Sequence, residues 1–207
     1  MQAVIRIPSV PACFAHCCVI GMIAPWNFPW AIPVWKSAPA IVAGNCVVFK
    51  PAELTPATSA LLAEIYEEAG LPPGVFNMLV GTGAGVGEAM VNAPELRAIS
   101  FTGSNRIGGA LYVKCAQRGA KVTCEMGGKN AVIVMPDADL DKAAIAIHGG
   151  AFGSTGQRCT ATSRVIAHPD ISLVLRNTNM SKLEQVHTAL DALREGKPQS
   201  GDSADFG

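Results

Sequence analysis

Short, predominantly apolar runs bounded by glycine or proline recur along this chain, and stretches of helical length separate them. Val19 to Ala24 is closed by Pro25, and Cys46 to Phe49 lies between Gly44-Asn45 and Lys50-Pro51. Val75 to Val80, Ala131 to Met135 and Ser163 to Ala167 repeat the theme. Runs this short read as strands, and the all-apolar Val19 to Ala24 and Cys46 to Phe49 as strands buried on both faces. Trp30 to Ala43 and Thr58 to Ala69 read as helices. The second carries Leu61, Leu62 and Ile65 on one side, Glu64, Glu67 and Glu68 mostly on the other, and a stop at Gly70 and Pro72. Strands alternating with helices predict an α/β fold, a mostly parallel sheet with helices on both faces.

Composition narrows the function. Lys plus Arg and Asp plus Glu both number 16 in 207 residues, so no net field draws the chain to nucleic acid or to an anionic membrane. Hydrophobic residues make up 49% and charged residues 15%, which suits a packed globular chain with a small-molecule site. Prolines 8, 11, 25 and 29 interrupt the apolar N-terminal region, and neither a membrane span nor a signal peptide is expected. Seven cysteines, several in apolar surroundings, predict reduced thiols and a cytoplasmic location rather than a disulfide framework. Cys13, His16, Cys17 and Cys18 lack a second cluster at ligand spacing, and no metal site is expected.

Several positions offer chemistry. In Phe152-Gly153-Ser154-Thr155-Gly156-Gln157-Arg158-Cys159-Thr160-Ala161 a thiol follows two glycines and adjoins a cation. It is a candidate nucleophile, although a cysteine in such company also serves as a small core residue. Glu125, in Cys124-Glu125-Met126-Gly127-Gly128-Lys129-Asn130, lies just past the strand-like Ala120 to Thr123 and is placed to point into a cleft. Asn27, in the loop after the first strand, can donate to a developing oxyanion or satisfy a turn. Lys50 and Glu53 follow a strand at the edge where doubly wound sheets bind nucleotides, and an exposed ion pair is the other reading.

Gly81 to Gly87 is a weak phosphate cradle, because its alternating glycines do not fit G-x-G-x-x-G. Ala98 to Ser104 reads as a loop before a helix reaching past Gly108, whose first amides suit a pyrophosphate. Ser104 is equally an N-cap, and the two roles are compatible. Pro136-Asp137-Ala138-Asp139 opens a helix toward Gly149-Gly150, with structural acids in its first turn, and His148 reads as a structural residue near that helix's end.

Four segments, Ile23 to Pro29, Val47 to Glu53, Cys124 to Asn130 and Phe152 to Ala161, together resemble the aldehyde dehydrogenase superfamily in order and approximate spacing. The likeness runs from about Ile20 to Ala167. It implies a Rossmann-like cofactor domain over 1–127, incomplete at its N-terminus, and the start of an α/β catalytic domain over 128–207, cut short at its C-terminus. Cys159 is then the nucleophile, Asn27 and the Cys159 amide hold the oxyanion, and Glu125 activates water. Lys50 and Glu53 bind the adenosine ribose, Gly103 and Ser104 the pyrophosphate, and Trp26 also belongs to the cofactor set. The implied reaction is NAD(P)-dependent oxidation of an aldehyde, loosely a semialdehyde, to a carboxylic acid through a thiohemiacetal and a thioester. Glu53 favours NAD, with NADP possible. Members are homo-oligomers, and the C-terminal strand they use to dimerise is not found here, nor is the later glutamate and phenylalanine motif that positions the nicotinamide ribose. The other reading is therefore a non-catalytic nucleotide-binding or assembly fragment. Beyond Ala167 the likeness fades; Ser181 to Glu184 fits a capping box, and Leu183, Val186, Leu190 and Leu193 form an apolar helical stripe without chemistry.

Overall fold

A computed structural model describes residues 18–178. The chain divides into two compact units, 1–127 and 128–207.

The first unit is built on five parallel strands. In chain order the strands are β1 (Val19–Ile23), β2 (Cys46–Lys50), β3 (Phe76–Met78), β4 (Leu96–Gly103) and β5 (Lys121–Met126), and they lie side by side as β3-β2-β1-β4-β5. All four neighbouring pairs are parallel. Helices α1 (Ala31–Val42), α2 (Pro56–Glu68), α3 (Glu88–Asn92) and α4 (Asn105–Gln117) supply the crossovers that parallel strands require. Every residue of β2 is buried, Cys46 to Phe49 as their unbroken apolar run predicts. Side chains alternate across the sheet, so Val47 and Phe49 pack with Met22 and with Ile32 of α1 on one face. Val48 packs on the other face with Met90 and Val91 of α3 and with Leu111 and Cys115 of α4. Helices thus cover both faces.

Three expectations are corrected. Lys50 does not lie in the loop beyond β2 but is the strand's last residue, paired with Ile23, because the ladder with β1 continues one residue past the apolar run. Ala98 to Gly103 is not a loop: it is the body of β4, hydrogen-bonded to β1 on one side and β5 on the other, with Ile99 and Phe101 buried. The polar Ser100 and Thr102 that suggested a loop are the alternate residues of a strand whose other face is packed. Glu125 is likewise not past a strand but within β5, opposite Thr102. Gly83–Gly87, within the stretch read as a weak phosphate cradle, forms a short π-helix running into α3.

In the second unit, β6 (Asn130–Val134) and β7 (Thr162–Ala167) pair in parallel, joined through α5 (Leu140–Phe152) and a 3₁₀ turn, Gly153–Gly156. The side chain of Asp139 caps α5 by accepting from the Lys142 N–H at 3.1 Å, so that acid is structural. The helix continues through Gly149 and Gly150 to Phe152, against whose ring His148 lies with centroids 5.6 Å apart. A further helical stretch covers 169–178. Among the described residues, the apolar cluster of this unit is built on the buried Val134, Ile147 and Leu175. The capping box and apolar stripe expected after Ser181, and the cysteines of the first 17 residues, lie outside the described residues.

Candidate active site

Parallel strands all point their carboxyl ends to one edge of the sheet, and most of the expected site residues of the first unit stand on that edge. Ile23 of β1 pairs with Lys50 of β2 and with Phe101 of β4, and Gly103 of β4 pairs with Met126 of β5. Asn27 follows β1, Glu53 follows β2, and Ser104 follows β4. The strand order changes direction between β1 and β4, which makes the crevice beyond their ends the topological switch point where open α/β sheets bind ligands.

Lys50 is 4% exposed and its Nζ donates to the Pro51 carbonyl at 2.9 Å. Burial pushes its ammonium below the usual lysine range, and the Glu53 charge opposes that shift. Glu53 Oε1 accepts from the backbone N–H of Gly83 at 2.9 Å, tying this loop to the start of the π-helix. Trp26 is exposed and Asn27 half-buried in the loop after β1. At the end of β4, a Cβ on Gly103 would lie 2.5 Å from Phe101 Cζ, so any larger residue here would have to displace the buried Phe101 ring. Ser104 then caps α4, its Oγ accepting from the Ile107 N–H at 3.4 Å. That bond leaves the hydroxyl proton available.

Glu125 is exposed on the sheet face covered by α1. On the same face, Lys36 of α1 donates through Nζ to Ser100 Oγ at 2.9 Å, and Thr123 Oγ1 donates to Ser100 Oγ at 3.1 Å. Burial pushes the Lys36 ammonium below the usual lysine range, while the charges of Glu125 and Cys124 pull it back. The sequence reading passed over Lys36. Its signal was available, since it is the only charged residue between Trp30 and Ala43.

Cys159 belongs to the second unit. It is exposed in the turn between Gly156 and β7, closed by the Ala161 N–H donating to the Arg158 carbonyl at 3.1 Å. Asn130, also passed over, reaches this turn with its side-chain amide. A groove of about 580 Å³ elsewhere in this unit is lined by Ile147, Phe152, Val165, Leu175 and Arg176 among others and does not include Cys159.

A model of the aldehyde dehydrogenase family matches residues 16–201. The chain belongs to the aldehyde dehydrogenase family. It is 49% identical over 177 residues to an α-ketoglutaric semialdehyde dehydrogenase of Bacillus subtilis, covering 86% of this chain and 36% of that protein. A 2,5-dioxopentanoate dehydrogenase of Saccharolobus solfataricus is 50% identical over 156 residues, covering 74% and 32%. Among solved structures, an NAD-dependent aldehyde dehydrogenase from Sinorhizobium meliloti superimposes with a TM-score of 0.77 at 40% identity, covering 79% of this chain and 32% of that one. The chain thus spans about a third of the length of the curated relatives it matches. Among the described residues no helix is long and apolar enough to cross a membrane.

Proposed function

We propose that this chain carries cofactor-binding and nucleophilic parts of an NAD(P)-dependent aldehyde dehydrogenase that converts an aldehyde to a carboxylic acid. The observation that carries this reading is the placement of Lys50, Gly103 and Ser104 at the carboxyl edge of a family-matched parallel sheet, at its switch point. Residues 1–127 form the cofactor domain and 128–207 belong to the catalytic domain.

The residues present suit a dinucleotide. The Lys50 ammonium has one backbone acceptor, leaving donors for a ribose hydroxyl, and Glu53 can accept from one. Ser104 and the first amides of α4 offer donors to a pyrophosphate, as a helix N-terminus does. Trp26 completes the cofactor set. We take NAD as the cofactor, because Glu53 repels a 2′-phosphate. When bound, it supplies the two-electron acceptor that allows a thiohemiacetal to become a thioester.

The chain's own groups do the rest. Cys159 as thiolate attacks the aldehyde carbon, and Asn27 with the Cys159 N–H donates to the resulting oxyanion. Glu125 takes a proton from the water that hydrolyses the thioester, which frees the acid and the thiol. The names of the Bacillus and Saccharolobus relatives support a semialdehyde as substrate. Buried thiols such as Cys46 and Cys115 fit a reducing compartment, and we place the protein in the cytoplasm.

The test is reduced-cofactor formation by the purified 207-residue chain with NAD or NADP and a panel of aldehydes and semialdehydes, beside Cys159→Ser. The expected outcome is semialdehyde-dependent reduction of NAD, lowered in the variant by roughly a thousandfold or more. A folded, soluble chain without activity would sink turnover by this chain and favour a non-catalytic fragment.

A further inference from the structure

The turn that carries Cys159 is held by a side chain far from it in sequence. Asn130, the first residue of β6, points its Nδ2 at two backbone carbonyls, that of Cys159 at 2.7 Å and that of Ala161 at 3.3 Å. The ladder shifts register between Asn130 and Ala131, an irregularity of the kind that re-aims a side chain out of the regular pleat. An amide nitrogen has two hydrogens and so can serve both carbonyls at once; a carboxylate has none and a hydroxyl has one. The position where a Cβ on Gly128 would stand is 3.5 Å from both Asn130 Nδ2 and the Cys159 carbonyl oxygen, so the chain packs directly over this contact.

The turn needs such a hold. Just upstream, Ser154 and Thr155 both adopt left-handed backbone, with φ of 52° and 55°. Side chains with a Cβ take this conformation only where the surrounding structure over-determines it. Gly156 follows at φ 69°, and a Cβ there would come within 3.0 Å of the Ala151 carbonyl oxygen. The segment leading to Cys159 is therefore wound against its own preference, and the Asn130 amide secures its downstream end.

We infer that Asn130 is a positioning residue: by holding the Cys159 carbonyl it orients the peptide plane on which the Cys159 thiol and its neighbouring amide donors depend. The inference rests on the reading of Cys159 as nucleophile. Its action is through geometry, so it concerns the rate of attack more than the binding of substrate.

The experiment compares the 207-residue chain with Asn130→Asp, which keeps the shape and loses the donors, and Asn130→Ala, which removes the group with least intrusion. Peptide-resolved hydrogen exchange reads the clamp itself. The expected result in both variants is exchange over 157–162 faster by about fivefold or more, the worth of a lost hydrogen bond, with 46–50 unchanged. Hydrolysis of 4-nitrophenyl acetate reads the thiol without any cofactor: sulfur takes the acetyl group, 4-nitrophenolate leaves, and water then releases acetate. Here kcat is expected to fall roughly tenfold with KM within about twofold. Unchanged exchange overturns the clamp, and changed exchange with unchanged kcat overturns the positioning role. If Cys159→Ser hydrolyses the ester as fast as the parent, the nucleophile reading fails on its own evidence, and the exchange result still decides the clamp separately.

Discussion

The two units handle the same kind of strand very differently. All five residues of β2 are buried, and the sheet around it has packed cores on both faces. No residue of β7 is buried, and Ile133, Val165 and Ile166 stand exposed on the two-stranded sheet of the second unit. One unit sets Lys50, Gly103 and Ser104 on the rim of a five-stranded sheet, while the other carries Cys159 in a turn just after the left-handed Ser154 and Thr155, in a unit whose apolar cluster among the described residues rests on Val134, Ile147 and Leu175. The contrast teaches where precision comes from in each. In the first unit the sheet sets the rim residues, whereas in the second a side-chain amide from β6 holds the Cys159 turn.

The largest expected effect tests the cores directly. Phe49 is 0% exposed between strands and α1, and Phe49→Ala should cost about 3–5 kcal/mol in unfolding free energy. Leu175→Ala in the second unit should cost about 2 kcal/mol, the low end for a leucine, because its exposed surroundings can collapse into the gap. Chemical denaturation of both variants checks the ranking, and equal losses would break the comparison.

A buried charge sharpens it next. Burial lowers the pKa of Lys50, so between that lowered value and the ordinary lysine value of 10.5 the unfolded chain binds more protons and stability rises with pH. Lys50→Met should remove this contribution, giving a flatter pH dependence than the parent on the alkaline side, and should weaken binding of NAD. Denaturation midpoints across that range, with a nucleotide titration, separate the two effects; an unchanged slope would mean Lys50 carries no unfavourable burial.

The smallest effect is at the surface. Glu88 accepts from Lys114, an exposed ion pair between α3 and α4, and also from Asn92. The pairing holds the Glu88 carboxyl below its ordinary value, so its stabilisation is present above about pH 4.5 and is lost as pH falls through the lowered pKa. Both partners are more than a third exposed, and Glu88→Gln should change stability by less than about 1 kcal/mol at neutral pH. A larger loss in thermal melts would show that surface charge, and not core size, distinguishes the first unit.

Much of the architecture was legible from the chain alone because the buried parallel strands advertise themselves as unbroken apolar runs. Cys46 to Phe49 and the helix Trp30 to Ala43 fall within one residue of β2 and α1. Where strands carry polar residues on one face the reading failed: Ser100 and Thr102 disguised β4 as a loop, and Glu125 was set beyond a strand that in fact contains it. Lys36 and Asn130 were passed over for a related reason. Their partners lie 64 residues away at Ser100 and 29 residues away at Cys159, and nothing local in sequence marks a hydrogen bond across such a distance.

The sequence by itself determined the family, the α/β class and which residue types are available for chemistry, since these follow from local periodicity and from motifs read in order. Only the tertiary structure decided that Lys50 is buried while Glu53 binds a backbone amide, that Lys36 faces Glu125, and that Asn130 holds the Cys159 turn. Burial and hydrogen-bond geometry depend on which strands become neighbours, and that pairing is a long-range outcome of packing that no short window of residues contains.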